Sequence, residues 1–177
     1  MSLGLIVKTG RILTARLLMG DPIEGITHCA IGEGDATFTD PFNTPAPEIE
    51  QTALLKDRAR KKYYKRTFLK EDPEGVLIVN GIHYSETTEE TRTIGVFFRF
   101  EESEANGITI REYGFFGGNV VYINGLQSDY AADGVYHQNT NPTGEVLTSG
   151  YLYEVKNIPD FNKTSDTRVE LVGVIKI

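Results

Sequence analysis

"ITIREYGFFGG", Ile108 to Gly118, is the stretch on which the reading of this chain turns. It runs as an apolar strand into a glycine turn, with an Arg-Glu pair at its centre and Tyr113, Phe115 and Phe116 toward its end. Adjacent residues of a strand point to opposite faces, so Arg111 and Glu112 do not pair with each other. Each is expected to meet a cross-strand partner. Glu89, Glu90 and Glu101 are candidates for Arg111, and the basic side chains of "IEQTALLKDRARKKYYKRTFLKED" are candidates for Glu112. A glycosidase needs two carboxyl groups at a defined separation, and a lone Glu112 does not make one. The 25 acidic residues leave a second carboxylate open. Structural polar contacts are the preferred reading of the pair.

The sequence around this stretch is β-patterned. In "RTIGVFFRFEE", Ile94, Val96, Phe98 and Phe100 alternate onto one face. Asn106-Gly107 is a hairpin signal, and Gly117-Gly118-Asn119 reads as a second turn leading into "VVYI". The expectation is an antiparallel meander from about Thr91 to Ile123. "GVLIVNGIHY" holds a further turn at Asn80-Gly81, and "YLYEVKNI" and "TRVELVGVIKI" read as two closing strands. In the last of these Val169, Leu171, Gly173, Ile175 and Ile177 share a face.

Toward the start, residues 5–19 carry a helical stripe of Ile6, Gly10, Leu13 and Leu17, stopped by Gly20-Asp21-Pro22. Gly10 weakens such a helix by about 1 kcal/mol relative to Ala unless close packing needs it. "ITHCAIGEGD" follows as a strand and a turn. Its Ile26, His28 and Ala30 face one way, and Thr27, Cys29 and Ile31 the other. Residues 35–50, with Pro41, Pro45 and Pro47, form an irregular connection. The basic segment is either a short helix over Ala53 to Lys61 or a charged edge strand, presenting a solvated face or meeting an acidic neighbour. Residues 125–150 are rich in Gly, Asn, Asp, Ser and Thr and read as a long polar excursion. The fold class is therefore mainly β (α+β), a helix followed by an antiparallel β-sandwich-like domain. Residues 1–124 form its principal part, and 125–177 the excursion and closing strands of the same domain.

Composition narrows the function classes. The net charge of −7 argues against general nucleic-acid binding and against docking on anionic lipid. The single cysteine permits no intrachain disulfide and points to a reducing compartment of synthesis. The opening 21 residues are not a continuous apolar run, so neither a secretory signal nor membrane insertion is expected. His28, His83 and His137 show no metal-ligand spacing, and "GEGD" lacks the lysine of a phosphate loop. Cys29 and the adjacent His28 point to opposite faces, which disfavours a thiol nucleophile and base. "DYAADG" lacks the alternating carboxylates of a calcium loop. No cofactor, metal or catalytic residue is expected.

Two separated stretches resemble the phage tail-collar fibre family. In "KTGRILTARLLMGDPIEGITHCAIGEGD" the matching features are Thr9-Gly10, the helix end Ala15, Leu18 and Gly20, and the turn Gly32-Glu33-Gly34. In "ITIREYGFFGGNVVYI" they are Ile110, Arg111, Glu112, Gly114, Phe115 and the turn at Gly117-Gly118. The marks come in the family's order and cover about the first two thirds of the chain. The resemblance implies an attachment domain in residues 1–124 that fixes a fibre to the tail or baseplate of a phage, tailocin or contractile injection system. The family usually continues into a long fibre shaft, which is not seen here, so a short tail fibre, collar or baseplate adaptor is expected. The protein would be made in the bacterial cytoplasm and carried in the particle's tail. By the same resemblance it would be a homo-oligomer, a trimer by default, with other tail or baseplate proteins as partners. Arg111 and Glu112 would fix the turn that follows them, and Tyr113, Phe115 and Phe116 would build the core or a subunit contact. The alternative is a carbohydrate-binding β-sandwich. In that case Tyr130 and Tyr136 would stack on a host glycan, and Asn139 and Asn141 would bond its hydroxyls.

Overall fold

A computed structural model describes residues 4–38, 40, 43–119, 121–122, 137–138, 147–148 and 150–177. The elements are β1 (Leu5–Ile6), α1 (Lys8–Leu18), β2 (Ile26–Gly32), β3 (Asp57–Lys62), β4 (Lys65–Glu71), β5 (Leu77–Val79) and β6 (Ile82–Thr87). They continue with β7 (Thr93–Phe100), β8 (Thr109–Gly117), β9 (Val121–Tyr122), β10 (His137–Gln138), β11 (Leu147–Thr148), β12 (Tyr151–Asn162) and β13 (Val169–Lys176). One sheet has the order β1-β12-β8-β2-β3-β10, a second β13-β7-β4-β6-β5, and β9 pairs with β11. All pairings are antiparallel. The expected mainly β sandwich with one N-terminal helix is the fold observed.

The two sheets meet through the faces that the alternation predicts. Phe98 of β7 stacks on Phe115 of β8 with ring centroids 5.3 Å apart, a contact worth about 0.5–1.5 kcal/mol beyond its buried area. Cys29, Val96, Tyr153 and the helix residue Leu13 fill the same core, with Leu171 and Ile175 packed against it. The opposite face of the first sheet is apolar as well: Ala30, Phe116, Leu152 and Val155 lie beneath Val7 and Leu54. Every residue of β2 is buried for this reason.

The central meander is overturned. β7 and β8 belong to different sheets and do not pair. The Asn106-Gly107 turn exists, with Ala105 at φ 56° and Gly107 at φ 78°, but it belongs to a crossover. That crossover is bound from elsewhere: Gly107 N donates to Lys163 O at 3.0 Å, and Lys163 N to Ile108 O at 3.0 Å. The buried Lys163 ammonium donates to the carbonyls of Glu102 and Thr164 and to Asn106 Oδ1. A hairpin signal specifies a turn, and the partner of the following strand is settled by packing. Likewise β9 pairs with β11 rather than with β8. The Asn80-Gly81 turn, in contrast, joins β5 to β6, with both residues at positive φ.

Other boundaries shift. The helix begins at Lys8, and Ile6 sits in a short strand against β12 instead of on the helical stripe. The basic segment forms β3 and β4 rather than a helix, and β3 is bordered by the two residues of β10. The chain passes between sheets at Tyr63-Tyr64, where Tyr63 N donates to Thr27 O and Tyr64 N to Phe97 O. β12 runs on through Pro159, where its ladder with β8 is irregular between Asn157 and Phe161, the kind of place a sheet tolerates proline.

Candidate functional site

The Arg-Glu pair sits on β8 between β2 and β12, with Glu112 opposite Gly32 on one side and Asn157 on the other. Glu112 is fully buried. Its carboxylate accepts three backbone N–H groups: Gly34 at 3.1 Å and Lys56 at 2.7 Å on Oε1, and Leu55 at 2.9 Å on Oε2. No Lys or Arg side chain takes the role expected from the basic segment; it is the backbone of that segment that binds. Burial, the largest influence, pushes the Glu112 carboxyl above its ordinary range, against the amides of Lys56, Leu55 and Gly34.

Two glycines make this contact possible. A Cβ on Gly32 would lie 2.6 Å from Glu112 Oε1 and 2.8 Å from Lys56 O. Gly34 has φ +51°, which glycine adopts without steric cost. Arg111 points the other way along the same turn, and its Nη1 donates to Glu33 O at 3.3 Å. None of Glu89, Glu90 and Glu101 is its hydrogen-bond partner there. The pair thus holds the turn at residues 32–34 and the segment at 55–56, instead of the following turn at Gly117-Gly118.

The basic segment's charges are paired along β3 and β4. Glu33 accepts from Lys56 at 2.7 Å and Arg58 at 2.9 Å. Lys61 pairs with Glu104 at 2.7 Å and Lys65 with Glu86 at 2.5 Å. Arg60 is buried, paired with Asp57 at 2.6 Å and stacked 3.8 Å over the Phe116 ring. Sequence reading placed these cations on a solvated face or against an acidic neighbour. Their carboxylates come from this same chain, and Arg60 belongs to the interior. Asn157, which sequence reading passed over, donates to Pro45 O at 3.0 Å and ties down the proline-rich connection.

Phe115 and Phe116 are buried on opposite faces of β8, the first in the inter-sheet core and the second beneath Leu54 and Val7. Tyr113 packs edge-on to Phe115 at 5.7 Å, and burial pushes its hydroxyl well up. Cys29 is fully buried, and burial raises its thiol well above the ordinary range, which leaves it unreactive. Among the described residues no group of His, Cys, Asp or Glu is arranged to hold a metal, and no helix is long and apolar enough to cross a membrane. Tyr130, Tyr136, Asn139 and Asn141 lie outside the described residues.

The first resemblance mark has its own contact. Thr9 Oγ1 donates to Leu152 O at 2.7 Å, and a Cβ on Gly10 would lie 2.3 Å from Tyr153 O. Thr9-Gly10 therefore seats α1 directly on β12. The Gly32–Gly34 turn and the Ile110–Gly114 strand, far apart in sequence, form one hydrogen-bonded corner.

No curated protein matches the chain. Residues 5–177 match the protein family described as "Baseplate wedge 3 tail fiber network component". This agrees with the sequence resemblance at the level of a phage tail and baseplate protein, without singling out the collar fibres. With nearly its whole length matched, the chain belongs to that family, as a structural component of the phage tail baseplate carried in the virion tail.

Proposed function

We propose that this chain is a non-enzymatic adaptor that joins baseplate wedge proteins to the tail-fibre network, an attachment role of the kind the collar-fibre resemblance implies. The observation that carries the reading is an apolar groove of about 300 Å³ between α1 and the end of β13, lined by Leu13, Leu17, Leu18, Ile175 and Ile177. Leu18 and the adjoining Met19 are 80% and 82% exposed. Large apolar side chains grouped in this way favour burial against another protein. The Glu112 carboxylate and Arg111 Nη1 are engaged with backbone, which supports a scaffold role over turnover.

The test is co-fractionation. Particles from a producing culture are banded on a density gradient, dissociated into baseplates and fibres, and probed for this chain. Its recovery with baseplates after a salt wash is expected, and recovery only among free proteins would overturn the reading. Three-fold self-association, which the resemblance implies, is measured by light scattering on the purified chain. A monomeric mass at all concentrations would remove the trimer and leave the adaptor role.

A further inference from the structure

The five-stranded sheet curls until its two outer strands, β5 and β13, line one cavity of about 690 Å³. Leu77 and Val79 of β5 and Val172 and Val174 of β13 pack on the same cluster of Leu69, Tyr84 and Phe97. The sheet is thus nearly a barrel, and its strand directions prevent it from closing like the rest. Passing from β5 through β6, β4 and β7 to β13, every step is antiparallel. Four reversals leave β5 and β13 running the same way. A single strand of the opposite direction would pair antiparallel with both and complete an even-numbered up-and-down barrel.

The backbone groups available to such a strand can be named. Ile177 N donates to Arg92 O, which extends the β13–β7 register by one pair. Antiparallel ladders alternate between bonded and non-bonded pairs, so Glu170 and Val172 turn their N–H and C=O groups away from β7. On β5, Val79 and Ile82 flank a two-residue turn and form a bonded pair. His83 O accepts from Asp72 N on the far side, so Ile78 turns its backbone away from β6. Ile78, Glu170 and Val172 all line the cavity. Among the described residues no further strand pairs with β5 or β13, and open edges of this kind take up extended segments.

We propose that this slot receives one extended segment of another protein of the tail, running antiparallel to β5 and β13. The proposal rests on the adaptor reading above. The segment's inward side chains, at every other position, are apolar, because they join Leu77, Val79 and Val172. Its outward side meets Ile78 and the neighbouring Val76, 58% and 96% exposed. Lys156 lines the cavity, and its charge acts on Glu154 of the same strand without a salt bridge among the described residues, so an acidic residue of the segment would pair with it.

The experiment compares hydrogen exchange of the isolated chain with that of the chain in purified baseplates, alongside the variant Ile78→Pro. Proline removes a donor that faces the slot and no ladder bond, and edge strands tolerate it. The expected result is about tenfold or greater slowing of exchange at Ile78 and Val172 in baseplates. An Ile78→Pro chain with wild-type melting should be incorporated about tenfold less, the change made by 1.4 kcal/mol. Should that variant unfold, exchange in the wild-type chain decides alone. A chain present in baseplates with unchanged exchange at both residues overturns the slot and leaves the adaptor role standing. Concentration-dependent protection in the isolated chain overturns the choice of partner in favour of a second copy. Absence of the chain from baseplates overturns the adaptor role and the slot with it.

Discussion

Glu112 Oε1 accepts the amide of Gly34 at 3.1 Å across 78 residues of sequence. This bond joins the two stretches through which the chain resembles a tail protein, and it gives the Arg-Glu pair its meaning. The carboxylate accepts amides of a turn and a connection at the point where the β2–β3 pairing ends. Truncating it removes three part-buried hydrogen bonds, each contributing about 1 kcal/mol net. Glu112→Ala is expected to lower stability by about 2–4 kcal/mol on that basis. Glu112→Gln keeps one acceptor oxygen and turns an NH2 toward at least one amide, so a smaller loss of about 1–3 kcal/mol is expected. Urea melts of the three proteins check the order. Equal midpoints for Glu112→Gln and wild type would remove the anchor role.

Gly32 tests the same corner from the opposite side. A methyl group there meets both Glu112 Oε1 and the backbone oxygen of Lys56. The backbone contact cannot rotate away, so Gly32→Ala should cost about 1–3 kcal/mol by overpacking. For a chain of this size that lowers the melting temperature by roughly 2–4 °C per kcal/mol. Calorimetry on Gly32→Ala alone and combined with Glu112→Ala separates the sources. If the clash is with the carboxylate, the two losses are less than additive.

Acid should loosen this corner through Glu33. Burial raises its carboxyl, but the bonds to Lys56 and Arg58 outweigh burial and hold it below the ordinary range. A carboxyl whose folded pKa lies below its unfolded value contributes stability above the unfolded pKa, and that contribution fades as pH falls through the folded one. Glu33→Gln removes the titration. The stability difference between wild type and Glu33→Gln should therefore be largest near neutral pH and shrink below about pH 4, where the unfolded carboxyl protonates. Melting curves from pH 7 to pH 3 measure it, and a gap that widens toward acid contradicts the assignment.

Much of the strand content was legible because it rests on period-two burial. Val96, Phe98 and Phe100 are buried on the face their alternation predicts, and Asn80-Gly81 makes its hairpin from local backbone preference alone. What sequence could not show was pairing. Asn106-Gly107 has the same signal as Asn80-Gly81, yet its crossover is held by Lys163, more than fifty residues away. Periodicity carries no information about such a contact. The partners of Arg111 and Glu112 were missed for a related reason. Charge complementarity points to side chains, while the acceptors and donors used are main-chain groups that every residue possesses. Gly32 and Gly34 were the available clue, since paired glycines mark a place where something approaches the backbone closely.

Gly10 offers the sharpest conflict between a local and a tertiary rule. Helix propensity alone makes Gly10→Ala stabilising by about 1 kcal/mol. The helix, however, lies on β12 at this residue, where an added Cβ would be 2.3 Å from Tyr153 O and 2.7 Å from Tyr153 Cα. Both atoms are backbone, so α1 must lift. Lifting it stretches the Thr9–Leu152 bond and loosens Leu13 from the core it shares with Phe98 and Phe115. Overpacking of about 1–3 kcal/mol then cancels or exceeds the propensity gain. Gly10→Ala should melt no higher than wild type, and hydrogen exchange should quicken in α1 before it quickens in β7. A variant that melts higher with unchanged exchange in α1 would mean that the helix does not depend on this close approach.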